Sequence, residues 1–162
     1  MPASRERSMI TKPTVVLGSD HAGFRAKEYI KEEMAKTGYR IHDVGTDSLK
    51  SVDYPDYAEK VAVEVRKNPS RKGILVCGTG IGAAIAANKV PGIRAALVCN
   101  AQDARLSIEH NKANILVLGG RPFNKGRVKR IIGIWLAAEF QGGRHLRRVR
   151  KISRLERRYL QA

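Results

Sequence analysis

Short apolar runs alternate with amphipathic stretches along most of the chain. Residues 14–19 form a β-branched apolar run, and residues 24–36 follow with apolar positions at helical spacing until Gly38. The same succession recurs four times, and each later apolar run precedes another predicted helix. The later runs lie at residues 39–44, 73–77, 93–98 and 115–118, and the helices after them begin near residues 56, 83, 101 and 125. The sequence therefore predicts five strands in alternation with helices.

The apolar runs are rich in Val, Ile and Leu without alternation, which is typical of strands that helices bury on both faces. We therefore predict an α/β fold, a three-layer α/β/α Rossmann-like domain with a five-stranded parallel sheet. Right-handed crossovers restrict its topology but leave the strand order open. A chain of 162 residues fits one such domain. We assign it residues 14–162, after a polar N-terminal extension over residues 1–13 that we expect to be disordered.

The last segment, at about residues 148–160, has apolar residues near helical spacing with arginines between them. The apolar positions are Val149, Ile152, Leu155 and Tyr159. This pattern predicts a surface helix that docks on something apolar. The segment is also strongly basic, since residues 141–162 carry eight basic residues and one acidic residue in a chain of net charge +16.

The charge raises a nucleic-acid or acidic-membrane partner as an alternative, because 31 basic residues stand against 15 acidic ones. Aromatic residues make up only 6 % of the chain and form no stacking motif, which disfavours a nucleic-acid function. A solvated helix face, or contacts to an acidic patch on a partner subunit, explains the basic residues more simply. No apolar stretch approaches the ~18 residues of a membrane span, and residues 1–8 lack the apolar core of a secretory signal. We therefore predict a cytoplasmic protein with no membrane partner.

Chemically reactive residues follow three of the predicted strands. They are Asp20 and His21 after the first strand, Cys77 and the glycine loop 78–82 after the third, Cys99 after the fourth, and His110 with Asn111 at the end of the next helix. In such sheets ligands bind beyond the carboxyl ends of the strands. We therefore expect a carboxylate, two imidazoles, a thiol and the glycine loop to project toward one edge of the sheet.

The glycine loop lets the backbone turn tightly and direct several N–H groups into one cavity, where they bind a phosphate or a reaction oxyanion. Gly78, Gly80 and Ala83 also fit the dinucleotide fingerprint G-x-G-x-x-A. That fingerprint belongs after the first strand, with an acidic residue closing the next strand, where this chain has Cys99 and Asn100. We therefore do not predict a dinucleotide site.

Cys77 is the more specific feature, since a thiol beside helix-N-terminal N–H groups has its pKa lowered from about 8.5 and can act as base or nucleophile. The alternative is a small buried apolar residue at a strand end, which suits Cys99 better. Taken singly, Asp20 fits a helix cap and His110 fits a surface group stabilised by the helix dipole. Their convergence with Cys77 is what favours catalysis.

Several separated motifs make the chain resemble a known family, the type B ribose-5-phosphate isomerases and the related galactose-6-phosphate isomerases. The resemblance runs from about Val15 to the C-terminal helix. Its motifs are Gly18-Ser-Asp-His-Ala-Gly-Phe24, Asp53-Tyr-Pro-Asp-Tyr57, Cys77-Gly-Thr-Gly-Ile-Gly82 with Ala86-Ala-Asn-Lys89, Glu109-His-Asn111, Asn114 with Gly119-Gly-Arg121, and Gly142-Gly-Arg-His145. It implies an aldose–ketose isomerase that interconverts ribose 5-phosphate and ribulose 5-phosphate through a cis-enediolate, without metal or organic cofactor.

The resemblance also implies a role for each matching residue. Cys77 matches the base that moves a proton between C1 and C2, and Ala83 in place of a glutamate matches the cysteine-dependent branch. Thr79 and His110 match the groups that open the furanose ring, while Asp20 matches a group that binds the sugar hydroxyls and assists proton movement between the oxygens. The implied binding groups are the amides of Gly78, Gly80, Ile81 and Gly82 for the enediolate, Asn111 for a sugar hydroxyl, and His21, Arg121, Arg144 and Arg148 for the phosphate.

In this family a second subunit completes the active site, so the resemblance implies a homodimer or a dimer of dimers with shared active sites. Two residues depart from the family pattern, since Lys112 stands where aspartate is usual and Ile108 where arginine is common. Both flank His110. Galactose 6-phosphate, allose 6-phosphate and erythrose 4-phosphate therefore stay open as alternative substrates.

Overall fold

The computed structural model describes residues 12–160. Its five strands form one parallel sheet in the order β2-β1-β3-β5-β4, which the sequence left open. The strands are β1 (Val15–Ser19), β2 (Ile41–Asp43), β3 (Lys72–Cys77), β4 (Ala95–Leu97) and β5 (Ile115–Gly119). The predicted number of strands and their parallel arrangement are confirmed. We expected a disordered extension over residues 1–13. Residues 1–11 of it lie outside the described residues.

Helices follow the strands as the sequence predicts. They are α1 (Phe24–Ala35), α2 (Tyr54–Arg66), α3 (Ile81–Ala87), α4 (Ala101–Glu109), α5 (Lys125–Ala137) and α6 (Arg144–Tyr159). The last helix begins at Arg144 rather than near residue 148. Gly142 and Gly143 precede it with positive φ angles of 65° and 53°, which turn the chain into the helix. No helix within residues 12–160 has both the length and the apolar character needed to cross a membrane.

The helices cover both faces of the sheet, which confirms the predicted three-layer α/β/α fold. On one face, Ile30 of α1, Ile108 of α4 and Trp135 of α5 belong to a single buried cluster with the strands. On the other face, Val61 of α2 and Ala87 of α3 belong to a second cluster. Burying each large apolar side chain contributes about 1.5–3 kcal/mol, so these two clusters fix the helices against the sheet.

The strand order reverses between β1 and β3, because the chain passes from β1 to β2 on one side and returns to β3 on the other. A sheet of this kind opens a crevice beyond the carboxyl ends of the strands at that point. The register places Ser19 beside Val76 and Cys77 beside Gly119. The segments after β1, β3 and β5 therefore meet at this crevice.

Helix α6 contacts the rest of the chain through one narrow side. His145 and Val149 are buried there. Farther along the helix, the Gly92 N–H donates a 2.8 Å hydrogen bond to a carboxylate oxygen of Glu156. Leu146 is half-buried, and three further large apolar side chains of the helix are exposed, namely Ile152, Leu155 and Tyr159. The predicted apolar side of this helix is thus largely uncovered in the single chain.

Candidate active site

Cys77 is the last residue of β3, and its sulfur lies against the glycine loop. The Gly80 N–H donates a hydrogen bond to Cys77 Sγ across 3.2 Å. Gly80 has a left-handed φ of 85°, and a Cβ at this position would lie 2.4 Å from Leu97 Cδ1. Only glycine fits this turn without a shift of its neighbours. The local backbone thus aims an amide group at the sulfur.

The pKa of the Cys77 thiol is raised, so the predicted lowering is wrong for the described chain. Burial is the largest cause, since the residue is only 5 % exposed. The backbone N–H groups of Ala83, Gly80 and Thr79 act in the opposite direction, and the negative charge of Asp20 adds to the effect of burial. The few amide dipoles do not offset the loss of water around the sulfur. Cys77 is therefore a neutral thiol near pH 7 in the single chain.

Asp20 and His21 extend from the end of β1 into the same crevice. Asp20 Oδ1 accepts a 3.0 Å hydrogen bond from the Gly23 N–H, so the carboxylate holds the turn before α1 as well as acting on Cys77. His21 Nδ1 accepts a 3.1 Å hydrogen bond from the Val52 N–H. A ring that accepts through Nδ1 carries its proton on Nε2. The loop after β2 therefore fixes His21 as a donor through Nε2.

The first turn of α3 forms another wall of the crevice. Besides the Gly80 amide, the Ile81 N–H also has a partner, because it donates to Thr79 Oγ1 at 3.2 Å. The Tyr54 ring packs so closely on Gly82 that a Cβ there would lie 2.5 Å from Tyr54 Cζ. Tyr54 is 41 % exposed and was not singled out by sequence reasoning, although it stands in one of the family motifs. Its ring therefore lies against the glycine loop predicted to bind an anion.

The segment after β5 closes the remaining side. The Gly120 N–H donates to the Cys77 carbonyl at 2.7 Å, and the Arg121 N–H donates to the Gly78 carbonyl at 3.1 Å. These bonds place the exposed Arg121 beside the glycine loop. We call the residues gathered here the crevice group. Its members are Asp20, His21, Cys77, Thr79, Arg121 and the loop 78–82.

His110 and Asn111 lie at the opposite edge of the sheet, so the expectation of one shared edge is wrong. Helix α4 starts beyond the carboxyl end of β4 and runs back, and His110 directly follows its last residue. The chain enters β5 just after Asn114, whose carbonyl accepts a 2.8 Å hydrogen bond from Gly73 near the start of β3. The length of β5 separates the two edges by about 13 Å.

The first turn of α6 packs onto His110. The rings of His110 and His145 stack with centroids 4.1 Å apart and planes 8° from parallel. The pKa of His145 is lowered, first by burial and then by the positive charges of His110, Arg144 and Arg148. Sequence reasoning gave His145 no role, because the stack depends on how α6 returns to α4. We call the residues at this place the edge group, and its members are His110, Asn111, Arg144, His145 and Arg148.

The structure thus brings the candidate residues together in two groups rather than one. A groove of about 540 Å³ adjoins the edge group and is lined by Asn111 together with Ile152, Leu155 and Tyr159 of α6. Cys99 belongs to neither group and is exposed, so its expected burial is wrong; it lies just beyond β4, a short edge strand. Within residues 12–160 no three His, Cys, Asp or Glu side chains are grouped to hold a metal ion.

Comparison with known proteins gives one consistent result. The sequence model of the Ribose/Galactose Isomerase family matches residues 15–152. Ribose-5-phosphate isomerase B of Escherichia coli (strain K12) is 42 % identical over 144 residues, which are 89 % of this chain and 97 % of that protein. The residues that the family model matches include both the crevice group and the edge group.

Solved structures give the same answer. Ribose-5-phosphate isomerase B of Clostridium thermocellum has a TM-score of 0.88 and 50 % identity, and the match covers 90 % of this chain and 99 % of the other. The Mycoplasma genitalium enzyme with bound ribulose 5-phosphate has a TM-score of 0.86 and 40 % identity, with 89 % and 96 % of the two chains covered.

Proposed function

Because the chain belongs to the ribose/galactose isomerase family, we propose that it interconverts ribose 5-phosphate and ribulose 5-phosphate. Relatives that are 40–50 % identical to this chain are named ribose-5-phosphate isomerase B, and the solved structure of one of them holds ribulose 5-phosphate. Within this chain, the observation that carries the proposal is the hydrogen bond from the Gly80 N–H to Cys77 Sγ. It places a potential base beside amides at the crevice where a sheet of this kind binds ligands.

The proton transfers balance without an external reagent. His110 and Thr79 move the proton that opens the furanose ring to the free aldehyde. Cys77 first loses its thiol proton to solvent, and the thiolate takes the proton from C2 while the electron pair passes to the C1 oxygen to form the cis-enediolate. Asp20 assists the proton transfer from the C2 oxygen to the C1 oxygen, and Cys77 returns its proton to C1. The sulfur ends the cycle as it began, so no cofactor is consumed.

The amides of the loop lower the cost of the enediolate, since fixed dipoles meet the developing negative charge without reorganising. The Gly80 amide bonds the sulfur and the Ile81 amide bonds Thr79. These two amides therefore serve the oxyanion only after the side chains they bond have moved or reacted. The amides of Gly78 and Gly82 complete the set.

Phosphate binding uses groups from both halves of the site. His21 offers its Nε2 proton, because Nδ1 is occupied by the Val52 N–H. Arg121 adds a guanidinium in the crevice group, while Arg144 and Arg148 stand one helical turn apart in the edge group. Two guanidinium groups at that spacing can each present a two-pronged donor to one phosphate. Asn111 binds a sugar hydroxyl beside them.

The two groups form a complete site only between two subunits. The crevice group of one copy and the edge group of its partner supply the base and the ring-opening histidine respectively. The separation of about 13 Å along β5 supports this arrangement, since neither group reaches the other within one chain. The exposed Ile152, Leu155 and Tyr159 beside the groove supply apolar surface for the association. A homodimer, or a dimer of dimers, is therefore the proposed active form.

The two departures from the family pattern leave this substrate in place. Ile108 is buried in the core cluster of α4, so it does not line the site. Lys112 has a positive φ of 50° and holds its ammonium 5.6 Å from the centroid of the Phe140 ring. Because Ile108 is buried and the Lys112 ammonium lies over the Phe140 ring, we keep ribose 5-phosphate as the proposed substrate. The predicted cytoplasmic location stays a prediction.

The test is a direct assay of ribose 5-phosphate conversion by the purified full chain. We expect ribulose 5-phosphate as the product and a kcat lower by about 10²–10⁴-fold for Cys77→Ser, since a positioned base contributes about that factor. Cys99→Ser is the matched control and retains wild-type turnover, because Cys99 lies outside both groups. A higher kcat/KM for galactose 6-phosphate, allose 6-phosphate or erythrose 4-phosphate would reassign the substrate. Full activity of Cys77→Ser would reassign the base.

A further inference from the structure

The outer face of α6 carries a row of cations that the isomerase site does not use. Six basic residues lie within about a third of the helix circumference, on the side turned away from the buried His145 and Val149. All six are exposed. They are Arg147, Arg150, Lys151, Arg154, Arg157 and Arg158, and we call them the basic row.

The basic row has no compensating negative charge within the described chain. None of its members forms an ion pair with a carboxylate of residues 12–160. Glu156 is the one acidic residue of α6, and it turns toward the body, where it accepts the hydrogen bond from Gly92. Like charges three and four residues apart on a helix repel one another. An external polyanion would relieve this repulsion.

The basic row is distinct from the residues proposed for the sugar phosphate. Arg144 and Arg148 lie beside the row, nearer the apolar side of the helix, and belong to the edge group. The family model ends at residue 152, so Arg154, Arg157 and Arg158 lie beyond the part that the family model matches. Half of the row therefore belongs to a stretch that isomerase catalysis does not account for.

The geometry points to the phosphate backbone of duplex nucleic acid as the partner, bound without reading of its sequence. From Arg147 to Arg158 the row spans about 16 Å at 1.5 Å per residue. Duplex DNA carries a negative charge about every 1.7 Å of its axis, so several phosphates come within reach of such a row. This inference adds a second activity and does not depend on the isomerase proposal.

Two other polyanions fit the row less well. A basic amphipathic helix that lies on a membrane inserts its apolar side among the lipids, whereas the apolar side of α6 lines a groove against the body of the chain. A single strand is held largely by stacking on several aromatic residues, whereas α6 offers one such ring, Tyr159, beside Arg158. Binding to the phosphate backbone of a duplex requires no such stacking, so the low aromatic content of the chain does not count against it.

The test measures binding of the full chain to a labelled duplex of arbitrary sequence by fluorescence anisotropy. We expect the affinity to fall about 10²–10³-fold between about 50 and about 200 mM KCl, as neutralisation of four to six phosphates predicts. The variant R150Q/R154Q/R157Q should reduce the slope of log K against log salt by about 3, with wild-type isomerase kinetics. An unchanged urea unfolding midpoint shows that the variant folds, and this readout separates the result from the isomerase proposal.

The matched control removes the same charge from other helices. The variant R66Q/R127Q/R130Q changes three exposed arginines of α2 and α5, and we expect it to keep nearly the wild-type slope. Equal losses in both variants would show an effect of net charge alone and overturn the proposal. Tighter binding to a single strand of the same length, or binding to anionic phospholipid vesicles but not to the duplex, would also overturn it.

Discussion

His145 lies face to face with His110, with the ring centroids 4.1 Å apart and the planes 8° from parallel. The stack joins the start of α6 to the end of α4 and so fixes the orientation of the ring proposed to open the sugar. It also brings two imidazoles together beside Arg144 and Arg148, where a further positive charge is unfavourable. His145 is therefore kept neutral by its surroundings.

This pairing makes stability depend on pH. Folding lowers the pKa of His145 below its ordinary value of 6.5. Between the lowered pKa of the folded chain and pH 6.5, the unfolded chain therefore binds more protons than the folded chain. The stabilisation is present above pH 6.5 and is lost as the pH falls below it. We expect urea midpoints to decrease between about pH 7.5 and pH 5, and His145→Asn to reduce that dependence. His42→Asn, at an exposed site, is the control; an unchanged pH dependence in His145→Asn would contradict the prediction.

A second prediction concerns the shared sites. Cys77→Ser disables the crevice group and His110→Asn disables the edge group, so each homodimer is inactive. A random mixture of the two contains about one half heterodimers, in which one of the two sites has neither substitution. We expect such a mixture, after unfolding and refolding together, to recover about a quarter of wild-type activity. If both groups acted within one subunit, mixing would recover nothing.

A third prediction follows from the raised pKa of Cys77. Because burial disfavours the thiolate, the reactive form becomes more abundant as the pH rises toward the thiol pKa. We expect kcat/KM for ribose 5-phosphate to increase continuously from pH 7 to above pH 9, since this ratio reports the ionisation of the free enzyme. A plateau already at pH 7 would show that the partner subunit reverses the effect of burial.

A fourth prediction tests the packing that positions His21. A Cβ on Gly23 would lie 2.3 Å from the Val76 carbonyl oxygen, which is backbone and cannot swing aside. We expect Gly23→Ala to cost about 1–3 kcal/mol of unfolding free energy and to raise KM, because the turn carrying His21 must shift. Gly133→Ala is the control, since that helical site is open, and it should stabilise the chain by about 0.5–1 kcal/mol. Chemical denaturation of both variants gives the comparison.

The fold could be predicted almost entirely from the sequence, because buried parallel strands show as continuous apolar runs. Residues 73–77 predict β3 nearly to its ends, for example. The strand order could not be predicted, since every arrangement with right-handed crossovers satisfies the same local pattern. The start of α6 was placed too late, because Arg144 to Arg147 lack the exposed apolar residues that mark the rest of the helix.

The two groups of site residues were less well predicted. Asp20 and Cys77 directly follow strands, so their place at the carboxyl edge follows from the fold. His110 follows a helix that runs back along the sheet, and nine residues of helix return the chain by about 13 Å. The predicted length of this helix is enough to place His110 at the other edge. The stacking of His110 on His145 could not be predicted from the sequence, because it depends on how α6 packs against α4.

Both outermost strands of the sheet, β2 and β4, are only three residues long. Strands this short leave few free main-chain donors and acceptors at the sheet edges, so a strand of another molecule can form few hydrogen bonds there. Such edges favour association through side chains over strand pairing, and a single substitution can tune contacts of that kind.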